Sequence, residues 1–149
     1  MAQPAKAQPE GHQTVIPYLV VPDAERTVDF LVAVFGATVK ERMEDAAGKV
    51  QHAEVRIGDS MVMLGGSRGE WAPTPCSLYV YVPDTDEAYR RALKAGGTSV
   101  MEPANQFYGD RNAGVRDSAG NTWWLATHVE DVAPEELSRR HAQRLAEGR

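Results

Sequence analysis

The amino-acid sequence predicts an α+β domain made of two tandem βαβββ modules. Two observations carry that reading. The chain repeats itself: Tyr18-Leu19-Val20-Val21-Pro22-Asp23 returns sixty-one residues later as Tyr79-Val80-Tyr81-Val82-Pro83-Asp84. The same offset takes Gly36 onto Gly97, Val39 onto Val100 and Leu64 onto Leu125. In both copies a β-branched and aromatic run is followed by a helical pattern and then by further strand patterns. A module of about fifty residues needs its neighbour to bury its apolar face.

Thr14 to Val21 has strand composition and stops at Pro22, which has no N–H to give to a ladder. Asp23 is placed to cap a helix over 24–35, where Val28, Leu31, Val32 and Phe35 fall at i, i+3, i+4 and i+7, and Gly36 closes it. A strand near Ala37–Arg42 and a polar turn through Glu44–Gly48 follow. Val50–Ile57 and Met61–Leu64 read as strands joined by Gly58-Asp59-Ser60. In the first of these, Ala53, Val55 and Ile57 alternate with His52, Glu54 and Arg56, so one face is apolar and the other ionisable.

The second copy runs through a strand at Ser77–Val82 to Asp84 as N-cap, with Glu87 placed for a capping box, and a helix of 85–95 stopped by Gly96-Gly97. A strand near Thr98–Met101, a long loop over Glu102–Asn112, and a hairpin with arms Gly114–Asp117 and Thr122–Ala126 complete it. Beyond these, Glu130–Arg149 reads as a helical tail from Pro134, with Leu137, His141 and Leu145 as a narrow stripe. A frayed tail and a helix docked on its own or a partner subunit both fit. The expected organisation is a mobile polar leader at 1–13, one domain at 14–128 (module one 14–65, linker 66–75, module two 76–128) and a tail at 129–149.

Composition bounds the function. With 42% hydrophobic and 25% charged residues the chain reads as an ordinary soluble domain. A net charge of −5 without a basic stripe argues against nucleic acid as partner. The lone Cys76 excludes an intramolecular disulfide framework and a thiolate cage. Met1–Gln13 has no apolar signal core and no run is long enough to span a bilayer, so a cytoplasmic protein with no membrane partner is expected.

Tyr108-Gly109-Asp110-Arg111, followed by Asp117-Ser118-Ala119-Gly120-Asn121-Thr122-Trp123-Trp124 and Ala126-Thr127-His128, resembles the vicinal oxygen chelate superfamily. That superfamily holds glyoxalase I, bleomycin-resistance and fosfomycin-resistance proteins, and extradiol dioxygenases. The likeness is to its PhnB-like, glyoxalase-like branch, and Ile16-Pro17-Tyr18-Leu19, His52-Ala53-Glu54 and Ile57-Gly58-Asp59-Ser60 agree with it. The resemblance implies a strongly curved sheet around a central cleft, helices outside, and a homodimer. It also implies a divalent metal in the enzymes, held by His, Glu or Gln.

Laid on this chain, the resemblance puts the four ligand positions at Ile16, Met63, Ser77 and Trp124, none a His or carboxylate. No metal and no other cofactor is therefore expected there; a displaced site on His52, Glu54 and His128 is the alternative. The cleft would be lined by Ile16, Tyr18, Met63, Ser77, Tyr79, Tyr81 and Trp124, an aromatic surface suited to a planar or conjugated small molecule. His52 and Glu54 would be polar lining or rim residues. Tyr108 and Arg111 would sit at the cleft mouth, Arg111 either clamping a ligand anion or ordering its loop through Asp110, Asp117 or backbone carbonyls. The expected function is metal-independent small-molecule binding, similar to bleomycin-resistance-type drug sequestration. The alternatives are a lyase, isomerase or dioxygenase of the same fold and a non-catalytic interaction module.

Overall fold

The repeat read in the sequence is the repeat of the fold. The structure is a computed structural model describing residues 3–149, so the first two residues of the expected leader lie outside the described residues. The chain divides into two units, one holding Met1–Cys76 with Asp117–Asn121, the other Ser77–Arg116 with Thr122–Arg149.

Unit one contains β1 (Tyr18–Val21), α1 (Ala24–Phe35), β2 (Thr38–Glu44), β3 (Val50–Ile57) and β4 (Ser60–Gly66), with its sheet in the order β1-β4-β3-β2. β1 runs parallel to β4 and the other pairings are antiparallel. Asp23 caps α1 by accepting from Arg26 N at 3.1 Å, and Gly36 closes it in the left-handed region at φ 63°. The buried stripe is Ala24, Thr27, Val28, Phe30, Leu31 and Val34. It lies around the helix from the predicted one, leaving Val32 exposed, because Ala24 and Thr27 extend the apolar line back to the first turn. Leu19, Val21, Ala53, Val55 and Leu64 are buried on the sheet side of this core. Each fully buried Leu or Val contributes roughly 1.5–3 kcal/mol.

Unit two contains β5 (Ser77–Tyr81), α2 (Thr85–Lys94), β6 (Thr98–Asn105), β7 (Asp110–Arg116), β8 (Thr122–His128) and α3 (Pro134–Ala146), with its sheet in the order β5-β8-β7-β6. Asp84 caps α2 by accepting from Glu87 N. The Glu87 side chain does not complete a capping box, because it pairs with Arg90 and Arg91 instead. The core sets one large ring among small residues: Trp123 is fully buried with Ala88, Ala92, Ala113, Val115 and Leu125. Gly97 is part of that fit, since a Cβ there would lie 2.4 Å from Val115 Cγ1 and 2.8 Å from the Ala92 carbonyl oxygen.

The predicted loop over Glu102–Asn112 is mostly strand. β6 runs on to Asn105 and β7 starts at Asp110, leaving only a tight tip between them. Pro103 is tolerated because β6 is an edge strand and the register shifts between Met101 and Ala104.

The ladders fix the repeat residue by residue. Tyr18 pairs with Met63 and Tyr79 with Trp124, sixty-one residues apart as read. Val39 pairs with Val55, however, and Ser99 with Val115, which are sixty apart. The left-handed closing position after α2 is Gly96 (φ 98°), so Gly96 and Ser99, not Gly97 and Val100, answer to Gly36 and Val39. Module two is one residue shorter at the helix end. It regains that residue in the β7–β8 turn, where Asp117 and Asn121 replace the tighter Ile57–Ser60 closure.

α3 docks on its own unit. The His141 ring stacks on Phe107 at 5.7 Å, and the Arg144 guanidinium lies 4.5 Å over the same ring. Arg140 donates to the Phe107 carbonyl and forms a two-pronged pair with Glu130. The connector before α3 crosses Gly109, whose carbonyl accepts from Val129 N and Glu130 N.

Candidate functional site

In β3 the alternation is resolved by α1: Ala53 and Val55 are buried beneath the helix, so His52, Glu54 and Arg56 occupy the opposite face with Tyr18 and Met63. On that face a cavity of about 650 Å³ is lined by Tyr18, Met43, Gln51, His52, Arg68 and Trp71, among others. Gly65 makes it possible, since a Cβ there would lie 2.5 Å from the Tyr18 hydroxyl oxygen. The Tyr18 and His52 rings stand 5.9 Å apart. Trp71, from the linker, is 63% exposed and borders the same space. Among the described residues neither the His52 ring nor the Arg68 guanidinium has a hydrogen-bond or ion-pair partner.

Glu54 is not part of that opening. It is buried, and His12 Nε2 meets its Oε1 at 3.1 Å. Arg56 donates to the Gly11 carbonyl at 2.6 Å. The Gln13 carboxamide bonds both the N–H and the C=O of Met61, standing in for a strand residue beside the start of β4, ahead of its pairing with β1. Anchoring of the chain thus begins at Gly11–Gln13, ahead of the expected boundary at Thr14, and it occupies Glu54.

Unit two builds a second, more polar face. Ser77, Tyr79 and Tyr81 alternate outward along β5 while Leu78 and Val80 turn inward. The Tyr79 and Tyr81 hydroxyls both donate to Asp110 Oδ2, at 2.6 and 2.9 Å. His128 Nδ1 meets Asp110 Oδ1 at 2.8 Å and its Nε2 meets Asp131 at 2.7 Å. Burial alone would raise the Asp110 carboxyl, but donation from Tyr79, His128 and Tyr81 outweighs it and holds the group below its ordinary range. The Asp110 and Asp131 carboxylates push His128 up in turn. Desolvation, followed by the bond to Asp110, pushes the Tyr79 phenol well up. The bond to Asp110 raises Tyr81.

Asn112 joins the rest. Its Nδ2 donates to Tyr79 at 3.2 Å and to Tyr108 at 2.7 Å, while its buried Oδ1 has no partner, at a cost of about 1–3 kcal/mol. A cavity of about 300 Å³ is lined by Tyr79, Met101, Gln106, Tyr108, Asn112 and Trp124. Trp124 Nε1 donates to Ser77 Oγ at 3.0 Å, and its six-membered ring lies on Gly114, where a Cβ would be 2.7 Å away.

Arg111 is a correction to the sequence reading. As the neighbour of Asp110 and Asn112 on a strand it points the other way, toward α2, where Asp86 takes it in a two-pronged pair at 2.7 and 2.9 Å. Its Nη1 also donates to Asn105 Oδ1 at 3.2 Å, so Arg111 orders the end of β6 through Asp86 and Asn105 rather than through Asp110 or Asp117. Asp117 and Asn121 are structural as expected: Asp117 Oδ1 accepts from Ala119 N and Asn121 N, and Asn121 Oδ1 accepts from Cys76 N. Burial and then the Asp117 carboxylate raise the Cys76 thiol, which disfavours its thiolate.

The metal implied by the resemblance does not fit these residues. Met63 offers a thioether, Trp124 an indole already donating to Ser77, and Ile16 nothing. A shift of one residue along β4 or β8 meets only Val62, Leu64, Trp123 and Leu125, all buried. In the alternative trio, Glu54 is engaged by His12 and His128 by two carboxylates. Among the described residues no group of three or more His, Cys, Asp and Glu is arranged to hold a metal ion.

A family model described as Glyoxalase/Bleomycin resistance protein/Dioxygenase superfamily matches residues 11–125. An uncharacterized protein of Mycobacterium bovis is 36% identical over 132 residues, covering 81% of this chain and 87% of its own. Among solved structures, TioX from Micromonospora sp. ML1 superposes with a TM-score of 0.68 at 29% identity, covering 78% of this chain and 99% of TioX. A glyoxalase/bleomycin resistance protein/dioxygenase from Nocardioides has a TM-score of 0.59 at 19% identity, covering 87% and 90% of the two chains, a likeness of fold alone. Among the described residues no helix is long and apolar enough to cross a membrane.

Proposed function

The chain belongs to the Glyoxalase/Bleomycin resistance protein/Dioxygenase superfamily, and from that premise we propose that it is a metal-independent binding protein for a planar aromatic or conjugated small molecule. The observation that supports this most is the chemistry of the lining. Where the enzymes of the family place metal donors, this chain places Met63, Ser77 and Trp124. One cavity is walled by Tyr18, His52 and Trp71 in unit one, and another by Tyr79, Tyr108 and Trp124 in unit two. Flat apolar faces with a few fixed polar groups hold a ring and orient it, and about 650 Å³ is within the range of drug-sized sites. In unit two the nearby ionisable groups Asp110 and His128 are bonded to one another, which suits retention of a ligand there better than proton transfer to it. Sequestration of the kind associated with bleomycin-resistance proteins is the corresponding role, with a homodimer as the proposed working state.

The test combines metal analysis of the purified chain with calorimetric titration of planar aromatic compounds. Saturable binding with the compound recovered unchanged, weakened by Tyr18→Ala and by Trp71→Ala, supports the proposal. About one equivalent of divalent metal that His52→Ala removes, or chemical conversion of the compound, overturns it. Sedimentation at monomer mass across working concentrations refutes the dimer.

A further inference from the structure

The Tyr79–Tyr81–Asp110 arrangement decides which kind of polar group a ligand must bring. A phenol has one proton to donate, and both of these protons are committed to Asp110 Oδ2. What Tyr81 turns outward is therefore an oxygen lone pair, backed by a buried carboxylate, on a residue that is 63% exposed. Tyr79 is 44% exposed, and its oxygen also accepts from Asn112 Nδ2. Asn112, only 3% exposed, uses its N–H groups on Tyr79 and Tyr108 and keeps Oδ1 as an acceptor with no donor. No Lys or Arg lines this cavity, and Arg111 is held on the opposite face of β7 by Asp86. His128 is engaged by both Asp110 and Asp131.

We infer that the module-two face selects ligands that donate hydrogen bonds, an aromatic ring bearing an ammonium or other N–H cation, and discriminates against aromatic carboxylates. This rests on the small-molecule-binding reading and adds the ligand's polar chemistry to it. An N–H cation meets tyrosine oxygens whose electron density the Asp110 carboxylate enhances, with aromatic faces beside it. A carboxylate would meet lone pairs and a like charge, with no donor but the Tyr108 hydroxyl and the Gln106 amide to compensate.

Three probes on one ring system test this with the full chain: 2-naphthylmethylammonium, 2-naphthylmethanol and 2-naphthoate. Binding is followed through the indole N–H resonance of Trp124, which lines this cavity. The expected order is ammonium, alcohol, carboxylate, with the ammonium at least tenfold tighter than the carboxylate. Asp110→Asn, which removes the charge and keeps the size of the side chain, is expected to bring the two charged probes within about threefold. Equal binding of all three, tighter binding of 2-naphthoate, or a preference unchanged by Asp110→Asn overturns the inference while leaving aromatic binding intact. If none of the three moves the Trp124 resonance or is bound in calorimetry, the aromatic-binding reading fails and this inference falls with it.

Discussion

Gly109→Ala tests how firmly the tip bearing Tyr108 is tied down. Gly109 has φ 100°, where an L side chain is strained, and a Cβ there would sit 2.1 Å from the Glu130 carbonyl oxygen and 3.2 Å from Val132 Cγ2. The obstacle is backbone, so the connector must lift. Conformational strain costs about 1–2 kcal/mol. Loss of the two bonds from Val129 N and Glu130 N to the Gly109 carbonyl adds about 0.5–1.5 kcal/mol each. The sum is about 3 kcal/mol, or a fall of about 1–3 M in the urea midpoint at ordinary slopes. If the connector lifts without global unfolding, α3 leaves Phe107 and the far-ultraviolet dichroism loses a helix of 13 residues. Gly48→Ala is the control, because Gly48 also has positive φ (82°) but meets nothing within 4 Å. The reasoning is refuted if Gly109→Ala is no more destabilised than Gly48→Ala and keeps full helicity.

Gly65→Ala displaces only the far end of the half-exposed Tyr18 side chain, so it is expected to change stability by less than about 1 kcal/mol while weakening aromatic binding in calorimetry. Trp123→Ala empties the core of unit two and is expected to cost about 3–5 kcal/mol in denaturant titration. The Asp110–His128 pair makes stability depend on pH from both sides. His128, raised by Asp110 and Asp131, contributes fully below its ordinary pKa of about 6.5 and loses that contribution as pH rises through its higher folded value. Asp110, lowered by its three donors against the opposing effect of burial, contributes above about 3.9 and loses it as pH falls through its lower folded value. Proton resonances of His128 are expected to titrate above the free-imidazole value and to return toward it in Asp110→Asn; an ordinary midpoint in the parent chain contradicts the ion pair.

Much of the fold was legible because it was written twice. The span of α1 and the bounds of β3 followed from caps and alternation, both local signals. The end of β6 and the start of β7 were hidden because Pro103 and a run of polar residues mimic a loop, whereas the edge position and register shift that admit them are tertiary facts. That error carried into the site. Read as loop, Asp110 and Arg111 have no sides; read as strand, Asp110, Asn112 and Gly114 share one face and Arg111 falls on the other. The visible signal was the alternation of Ala113 and Val115 against their neighbours, continued two residues back. The seizure of Glu54 by His12 lies forty-two positions away in sequence and had no local sign.

The one-residue loss after α2 and the one-residue gain at the β7–β8 turn have a consequence for how such a chain can change. A ladder counts: each hydrogen bond assigns a partner, and a single miscounted residue turns a whole face inside out. A helix end or a hairpin turn does not count, so length can drift there without any rung noticing. Tyr18 opposite Met63 and Tyr79 opposite Trp124 are therefore in step, although the stretches between them are not. Lengths that vary only where the chain leaves the sheet let the two faces diverge in chemistry, His52 in one and Asn112 in the other, while remaining the same shape.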